Sequence, residues 1–153
     1  MVKILFICHG NICRSPMAEF IMKDLVRQAG AEEEFFLSSA ATSTEEIGNP
    51  VYPPAVRELA RHGLGCKGKR AVQVTRRDYG RYDLLIVMDS YNLRNLRRII
   101  PEDPEGKIHR LLEFAGRGDD VDDPWYTRDF ETAYSEIREG CEALLEHCLK
   151  NEK

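Results

Sequence analysis

A cysteine, five further residues, an arginine and a serine follow one another near the N-terminus, where residues 8–15 read CHGNICRS. Gly10 and Asn11 tolerate a positive φ, which lets successive backbone N–H groups point inward as an anion-binding nest. Arg14 can hold two oxygens of a tetrahedral oxyanion with its planar guanidinium. Cys8 in this electropositive setting is expected to be a thiolate at neutral pH, able to attack a bound phosphate and form a phosphocysteine.

A simpler interpretation is a buried structural cysteine beside a surface arginine. The position of the loop favours the chemical interpretation. Residues 2–7 form a nearly continuous apolar run, typical of a strand buried on both faces of a parallel sheet. Ser15 is a good N-cap and Pro16 suits the first helical position, so a helix is predicted to begin here and to end at Gly30. The start of that helix adds a partial positive charge beside Cys8.

The rest of the chain alternates strands with helices. Further strands are predicted at residues 35–39, 83–88 and 108–114, and further helices at residues 51–61, 92–100 and 130–149. This alternation indicates βαβ units, and therefore one α/β domain over residues 1–153 with a parallel sheet and helices on both faces. Ligands of such sheets bind at the carboxyl ends of the strands, where the cysteine-containing loop must lie.

Composition excludes several functional classes. Of 153 residues, 42% are hydrophobic and 31% are charged, and no apolar run approaches the roughly 20 residues that a membrane span needs. The formal charge of -4 argues against nucleic-acid binding, which normally needs a basic excess. Five cysteines in no disulfide-scaffold spacing, without a secretory signal, indicate a reduced cytoplasmic protein. The histidines have no metal-ligand spacing to the cysteines, so neither a metal nor another cofactor is expected.

An acidic segment later in the chain supplies candidates for proton transfer. Expelling the leaving group of a phosphate ester needs a proton donor, and a base must later activate water. Residues 119–126 read DDVDDPWY and contain four aspartates. Composition alone does not tell these four apart, and an ordinary acidic surface loop would read the same way.

Residues 8–19, which read CHGNICRSPMAE, resemble the signature of the low-molecular-weight protein tyrosine phosphatases. The similarity continues in order over nearly the whole chain, at residues 39–43, 46–50, 61–63, 88–89, 92–93 and 123–126. The resemblance implies a four-stranded parallel sheet in a Rossmann-like fold of the phosphatase I type, and metal-free hydrolysis of phosphotyrosine. Phosphotyrosine-containing proteins would be its partners, and phosphate would be its product.

The resemblance also implies roles for individual residues. Cys8 would be the nucleophile, Arg14 would bind the phosphate, and Asp123 would act as general acid and then as base. Pro124 would stiffen the segment that aims this carboxylate, and the two aromatic residues after it would line the slot. The residues predicted to contact substrate are His9, Gly10, Asn11, Ile12, Cys13, Ser15, Trp125 and Tyr126.

Three residues correspond to the family's supporting hydrogen-bond network, and two positions depart from the family pattern. Asn11, Ser15 and Ser39 correspond to residues whose hydrogen bonds hold the loop in shape, and the Ser15 hydroxyl would stabilise the departing thiolate. A histidine often joins this network from the turn after the second helix, but residues 66–70 read CKGKR. Glu45 stands where an aromatic side chain often forms one wall of the pocket. The first departure bears on the stiffness of the network and the second on substrate preference.

Other functions fit parts of the sequence. Arsenate reduction on the same scaffold needs further cysteines near the third strand, and residues 83–89 contain none. A phosphoarginine phosphatase branch tends to carry threonine where Ile12 stands, and an isoleucine suits an aromatic substrate. A catalytically silent phosphate-binding module is disfavoured by the presence of Cys8 and Asp123. Residues 63–70 satisfy a Gly-x-Gly-x-x-Gly pattern, but they follow a helix, whereas a dinucleotide site follows a strand.

Cys13 is not required for chemistry at phosphorus. It lies five residues after Cys8 in a loop wrapped around one anion, so the two sulfurs are predicted to be close. An accessible thiolate at Cys8 would be the thiol most exposed to peroxide, and Cys13 could trap its sulfenic acid as a disulfide. The alternative is that Cys13 merely fills space behind the loop.

Overall fold

Four parallel strands form the sheet in the computed structural model, which describes residues 1–151. The strands are β1 at Val2–Cys8, β2 at Phe35–Ala41, β3 at Leu84–Val87 and β4 at Ile108–Arg110. Their order across the sheet is β2, β1, β3, β4. The apolar run after the N-terminus is therefore a central strand, buried from Ile4 to Cys8, and its carboxyl end lies at the middle of the sheet edge.

Helices cover both faces of this sheet. Within residues 1–151 they are α1 at Arg14–Gln28, α2 at Pro53–Arg61, α3 at Asp78–Arg81, α4 at Ser90–Ile99, α5 at Pro124–Thr127 and α6 at Phe130–Asn151. On one face, Ile4 and Phe6 of β1 share a core with apolar residues of α1 and α6. On the other face, Leu5 and Ile7 share a core with Leu96 of α4. The predicted α/β fold with a four-stranded parallel sheet between helices is confirmed.

The predicted start of α1 is wrong. The helix begins at Arg14, so Ser15 is not its N-cap and Pro16 is its third residue. Cys13 holds the N-cap position and makes no capping hydrogen bond with its side chain. The Ser15 hydroxyl lies 3.0 Å from Cys8 Sγ, because a tertiary contact outweighs the local preference of serine for capping.

Other helix ends follow local rules. The predicted end of α1 at Gly30 is confirmed, since this glycine has a φ of 69° and terminates the last turn. α2 begins at Pro53, two residues later than predicted, because Tyr52 precedes a proline and is held in an extended conformation. α4 begins two residues earlier than predicted, because Asp89 caps it and accepts the Asn92 N–H at 2.7 Å.

The predicted strand at residues 108–114 is only half correct. β4 has three residues, and Leu111–Ala115 then forms a 3₁₀ turn. Leu111 is fully buried against α6, where a Cβ on Gly140 would lie 2.5 Å from the leucine Cγ. Packing on α6 therefore replaces further pairing at the sheet edge.

The short helices α3 and α5 were not predicted from the sequence. Among the helices of residues 1–151, none is long and apolar enough to cross a membrane. The same part of the chain contains no disulfide bond.

Candidate active site

The loop between β1 and α1 curls around the end of the central strand, with Cys8 at its base. Asn11 adopts a left-handed backbone conformation with a φ of 60°, which asparagine tolerates better than most residues. The curl places the Ser15 N–H 3.4 Å from Cys8 Sγ and the Ser15 Oγ 3.0 Å from it. A backbone N–H at the start of a helix and a hydroxyl thus meet at one sulfur.

A cleft of about 580 Å³ opens at this loop. Most of the predicted site residues line it, namely Cys8, His9, Gly10, Ile12, Cys13, Arg14, Asp123, Trp125 and Tyr126. Asn11, Ser15 and Ser39 are buried and do not line it. The structure therefore brings the predicted residues together in two layers, one facing the cleft and one behind the loop.

Hydrogen bonds from a single side chain hold the loop from behind. Asn11 Nδ2 donates to Ser15 Oγ at 2.8 Å and to Ser39 Oγ at 3.0 Å. Asn11 Oδ1 accepts the Val72 N–H at 3.2 Å. Because both ends of the amide are engaged, the left-handed residue is fixed by β2 and by the segment that follows α2.

A buried clamp holds the arginine of the loop. The Arg14 side chain is 2% exposed, and its Nη1 donates to Asp89 Oδ2 and to the Val121 carbonyl, both at 2.7 Å. Its Nη2 lies 3.4 Å from Asp123 Oδ2. Burial lowers the pKa of Arg14, but the negative charges of Cys8 and the two carboxylates raise it above its ordinary value. A permanent positive charge is therefore fixed in the cleft that holds Cys8.

Of the four aspartates at residues 119–126, only Asp123 lines the cleft. It caps α5, because its Oδ1 accepts the Trp125 N–H at 3.0 Å and Pro124 takes the first helical position. Its other oxygen faces Arg14. Pro124 therefore stiffens the segment by starting a short helix, and the cap on this helix fixes the direction of the Asp123 carboxylate.

The walls of the cleft are partly aromatic and partly charged. Trp125 is 44% exposed and packs on Tyr52, with 4.8 Å between ring centroids, while Tyr126 is 82% exposed. Glu45 also lines the cleft, and its carboxylate contacts the His9 ring. The position where the family often has an aromatic residue therefore carries an acidic side chain held by a loop histidine.

The contribution of α4 to the cleft was missed in the sequence. Tyr91, Asn92 and Asn95 line it. Asp89 caps α4 and holds Arg14. A signal existed for Asp89, because it directly follows a predicted strand whose carboxyl end had to face the site. Tyr91 and Asn95 gave no such signal, since they occupy helix positions that resemble ordinary surface.

Cys13 lines the same cleft but is only 6% exposed. Burial, and after it the charge of Cys8, raises the pKa of the Cys13 thiol far above its ordinary value. Cys13 is therefore a neutral thiol at physiological pH, whereas Cys8 has the donors that a thiolate needs.

Metal ligation is another chemistry that sulfur and carboxylate side chains can support. Within the part of the chain that the structure describes, no group of three or more His, Cys, Asp or Glu residues could hold a metal ion. The cleft combines a cysteine sulfur, a fixed guanidinium and a directed carboxylate, a set suited to displacement at a phosphate ester.

Comparison with known proteins supports this chemistry. Residues 3–153 match the family model described as low molecular weight phosphotyrosine protein phosphatase. The low molecular weight protein-tyrosine-phosphatase YfkJ of Bacillus subtilis is 39% identical over 155 residues, covering 100% of this chain and 99% of the relative. The low molecular weight phosphotyrosine protein phosphatase of Gallus gallus is 38% identical over 150 residues, covering 94% of this chain and 93% of the relative.

Solved structures share the fold. The crystal structure of YfkJ from Bacillus subtilis matches with a TM-score of 0.96 at 38% identity, covering 100% of this chain and 98% of that one. The crystal structure of DARP, a drosophila arginine phosphatase, matches with a TM-score of 0.87 at 30% identity, covering 95% and 97%.

Proposed function

The chain belongs to the low molecular weight phosphotyrosine protein phosphatase family and is a hydrolase with protein tyrosine phosphatase function, and we propose that it acts through a phosphocysteine on Cys8. The observation that carries this proposal is the meeting, in one cleft, of Cys8 Sγ, the clamped Arg14 guanidinium and the Asp123 carboxylate. Phosphotyrosine-containing proteins are the substrates, and phosphate is the product.

In the first step, the phosphate group of the substrate lies in the loop, where backbone N–H groups and Arg14 hold its oxygens. The Cys8 sulfur attacks phosphorus with an electron pair, and the bond between phosphorus and the tyrosine oxygen breaks. Asp123 donates its proton to that oxygen, so that the tyrosine leaves as a neutral phenol.

In the second step, Asp123 is a carboxylate and accepts a proton from water, whose oxygen attacks the phosphorus of the phosphocysteine. The bond between phosphorus and sulfur breaks, and the Cys8 thiolate leaves with the electron pair. Ser15 Oγ, 3.0 Å from this sulfur, donates a hydrogen bond to the leaving thiolate. Release of phosphate restores the free enzyme.

The lining of the cleft supports an aromatic substrate. Ile12 is largely buried, and the part of it that lines the cleft is an apolar surface on which a ring can pack. Trp125 adds an aromatic face for stacking. Phosphoarginine is the alternative to separate by experiment, because one structural relative is named an arginine phosphatase.

We expect kcat/KM for a phosphotyrosine peptide to exceed that for a phosphoarginine peptide of the same sequence by about 10²-fold, because an apolar wall favours a ring over a charged guanidino group. The measurement is phosphate release from the matched peptides. An Ile12→Thr variant should narrow the ratio. Equal rates on the two peptides would contradict the assignment, and failure to hydrolyse p-nitrophenyl phosphate would indicate a silent binding module.

We also propose that Cys13 protects Cys8 from irreversible oxidation. Peroxide oxidises the Cys8 thiolate to the sulfenic acid with release of hydroxide, and the Cys13 sulfur then displaces the hydroxyl to form a disulfide. The negative charge of Cys8 contributes to the raised pKa of Cys13. Burial is the larger cause, so Cys13 reacts as a thiol and its proton leaves with the displaced hydroxyl as water.

Peroxide is therefore expected to inactivate the enzyme, phosphate to protect it, and dithiothreitol to restore activity. A Cys13→Ser variant should recover only a small fraction of its own starting activity, because its sulfenic acid proceeds to sulfinic acid. Recovery as complete as in the parent, or the absence of a Cys8–Cys13 disulfide by mass spectrometry, would show that Cys13 is a packing residue.

A further inference from the structure

The turn after α2, where the family often has a histidine, here directs a lysine inward, toward Ser39 and Glu19. Lys69 lies between α2 and α3, yet its side chain is only 11% exposed. Its Nζ donates to the Ser39 carbonyl at 2.8 Å and lies 3.8 Å from Glu19 Oε1. Gly68, with a φ of 88°, makes the turn that directs the lysine inward.

The partner of Lys69 is a buried carboxylate. Glu19 is 5% exposed in the second turn of α1; its Oε1 accepts the Ser39 hydroxyl at 2.6 Å and its Oε2 accepts Lys23 Nζ at 2.6 Å. An ionised carboxylate is costly to bury unless cations compensate it. Burial lowers the pKa of Lys69, and the charge of Glu19 opposes that change only in part.

This carboxylate orients the Ser39 hydroxyl, while the Val72 N–H, bound to Asn11 Oδ1, turns the Asn11 amide nitrogen toward both serines. A carboxylate only accepts, so the single proton of Ser39 points to Glu19, and Ser39 Oγ is left to accept from Asn11 Nδ2. The same amide nitrogen donates to Ser15 Oγ. Ser15 Oγ thus accepts from Asn11, and its own single proton is left for Cys8 Sγ, 3.0 Å away.

We propose that Lys69 is a positioning residue for the nucleophile: by bonding the Ser39 carbonyl and pairing with Glu19, it fixes Ser39 and the Asn11 amide that hold the Ser15 hydroxyl against Cys8 Sγ. Its positive charge also lies within electrostatic reach of Cys8. The inference rests on the proposed function only in taking Cys8 as the nucleophile, and its test does not need turnover.

The test is the rate of Cys8 alkylation by iodoacetamide as a function of pH, with phosphate protection identifying the site. Lys69→Met keeps the length of the side chain and removes its charge. Its alkylation rate at mildly acidic pH should fall about threefold to tenfold, with the profile displaced to higher pH, because the thiolate loses a directed donor and a nearby cation. Lys67→Met, in the same turn but exposed, is the matched control and should follow the parent profile.

Two further variants separate positioning from folding. Glu19→Gln replaces an acceptor with a group that can also donate, so the Ser39 proton is no longer directed, and the alkylation profile should move in the same direction as for Lys69→Met. Lys69→Arg restores a cation and should recover most of the parent rate. On substrate, Lys69→Met should lower kcat with KM nearly unchanged, since Lys69 does not line the cleft.

Parent-like alkylation profiles for both Lys69→Met and Glu19→Gln would overturn the proposal. A lower thermal midpoint with an unchanged profile would also overturn it, because it would show a purely structural role. If the parent alkylates at Cys8 but hydrolyses no phosphotyrosine, the proposed function fails while the role of Lys69 is still decided by the profiles.

Discussion

A Cys8→Ser variant is expected to lose turnover by at least about 10⁴-fold while still binding phosphate. The serine hydroxyl is a poor nucleophile without a general base, and the groups bonded to the sulfur position, the hydroxyl and the N–H of Ser15, cannot act as one. Phosphate binding should persist because Arg14 and the loop N–H groups remain in place. Turnover is measured by hydrolysis of a phosphotyrosine peptide. Phosphate binding is measured by quenching of Trp125 fluorescence, since this single tryptophan lines the cleft.

Cys141→Ser is the matched control for this variant. Cys141 is fully buried in α6, and its Sγ donates to the Ala18 carbonyl, a bond that a serine hydroxyl can make. The Cys141→Ser variant should therefore retain activity. Turnover by a contamination-free Cys8→Ser preparation, or loss of phosphate binding in a folded one, would contradict the assignment of Cys8 and its loop.

Replacing Asp123, the proposed general acid, should lower kcat on phosphotyrosine by roughly 10²–10⁴-fold, the usual contribution of such a group. Asp123→Asn is the sharper change, because asparagine can still cap α5 and accept the Trp125 N–H while it cannot donate the proton. The loss should shrink on esters with better leaving groups, which need less protonation. The measurement is kcat across a series of aryl phosphates.

The neighbouring aspartates serve as controls. Asp119 pairs with Arg117 on the surface, and Asp120 lies 3.3 Å from Arg110. Asp119→Ala and Asp120→Ala should change kcat little, since neither residue lines the cleft. A large, leaving-group-dependent loss for Asp122→Ala with none for Asp123→Asn would place the acid one position earlier.

The parts of the site that the sequence predicted are those whose signals are local. The loop from Cys8 to Ser15 was predictable because its signals lie within a few positions of one another: the end of a strand, a glycine, an asparagine and an arginine. Asp123 was selected only through the family resemblance, because four aspartates in one segment are chemically alike until α5 directs one of them into the cleft.

The layer behind the loop depends on contacts between distant residues. Ser15 fitted the local pattern of an N-cap, but Asn11 and Cys8 use its hydroxyl. Asn11 itself is fixed by the Val72 N–H, 61 positions later in the chain. The sequence shows that the turn after α2 has no histidine. It does not show that Lys69 lies beside Glu19, because a lysine in a glycine-containing turn resembles an exposed one until the fold buries it.

The phosphocysteine on Cys8 can be looked for directly. Asp123→Asn should hydrolyse the phosphocysteine slowly while still forming it from p-nitrophenyl phosphate, whose leaving group needs little protonation. After rapid quenching, mass spectrometry should find one phosphate on the peptide that contains Cys8, and none in the doubly substituted Cys8→Ser, Asp123→Asn protein. Continued release of p-nitrophenol with no phosphate on Cys8 at any quench time would contradict the proposed phosphocysteine mechanism.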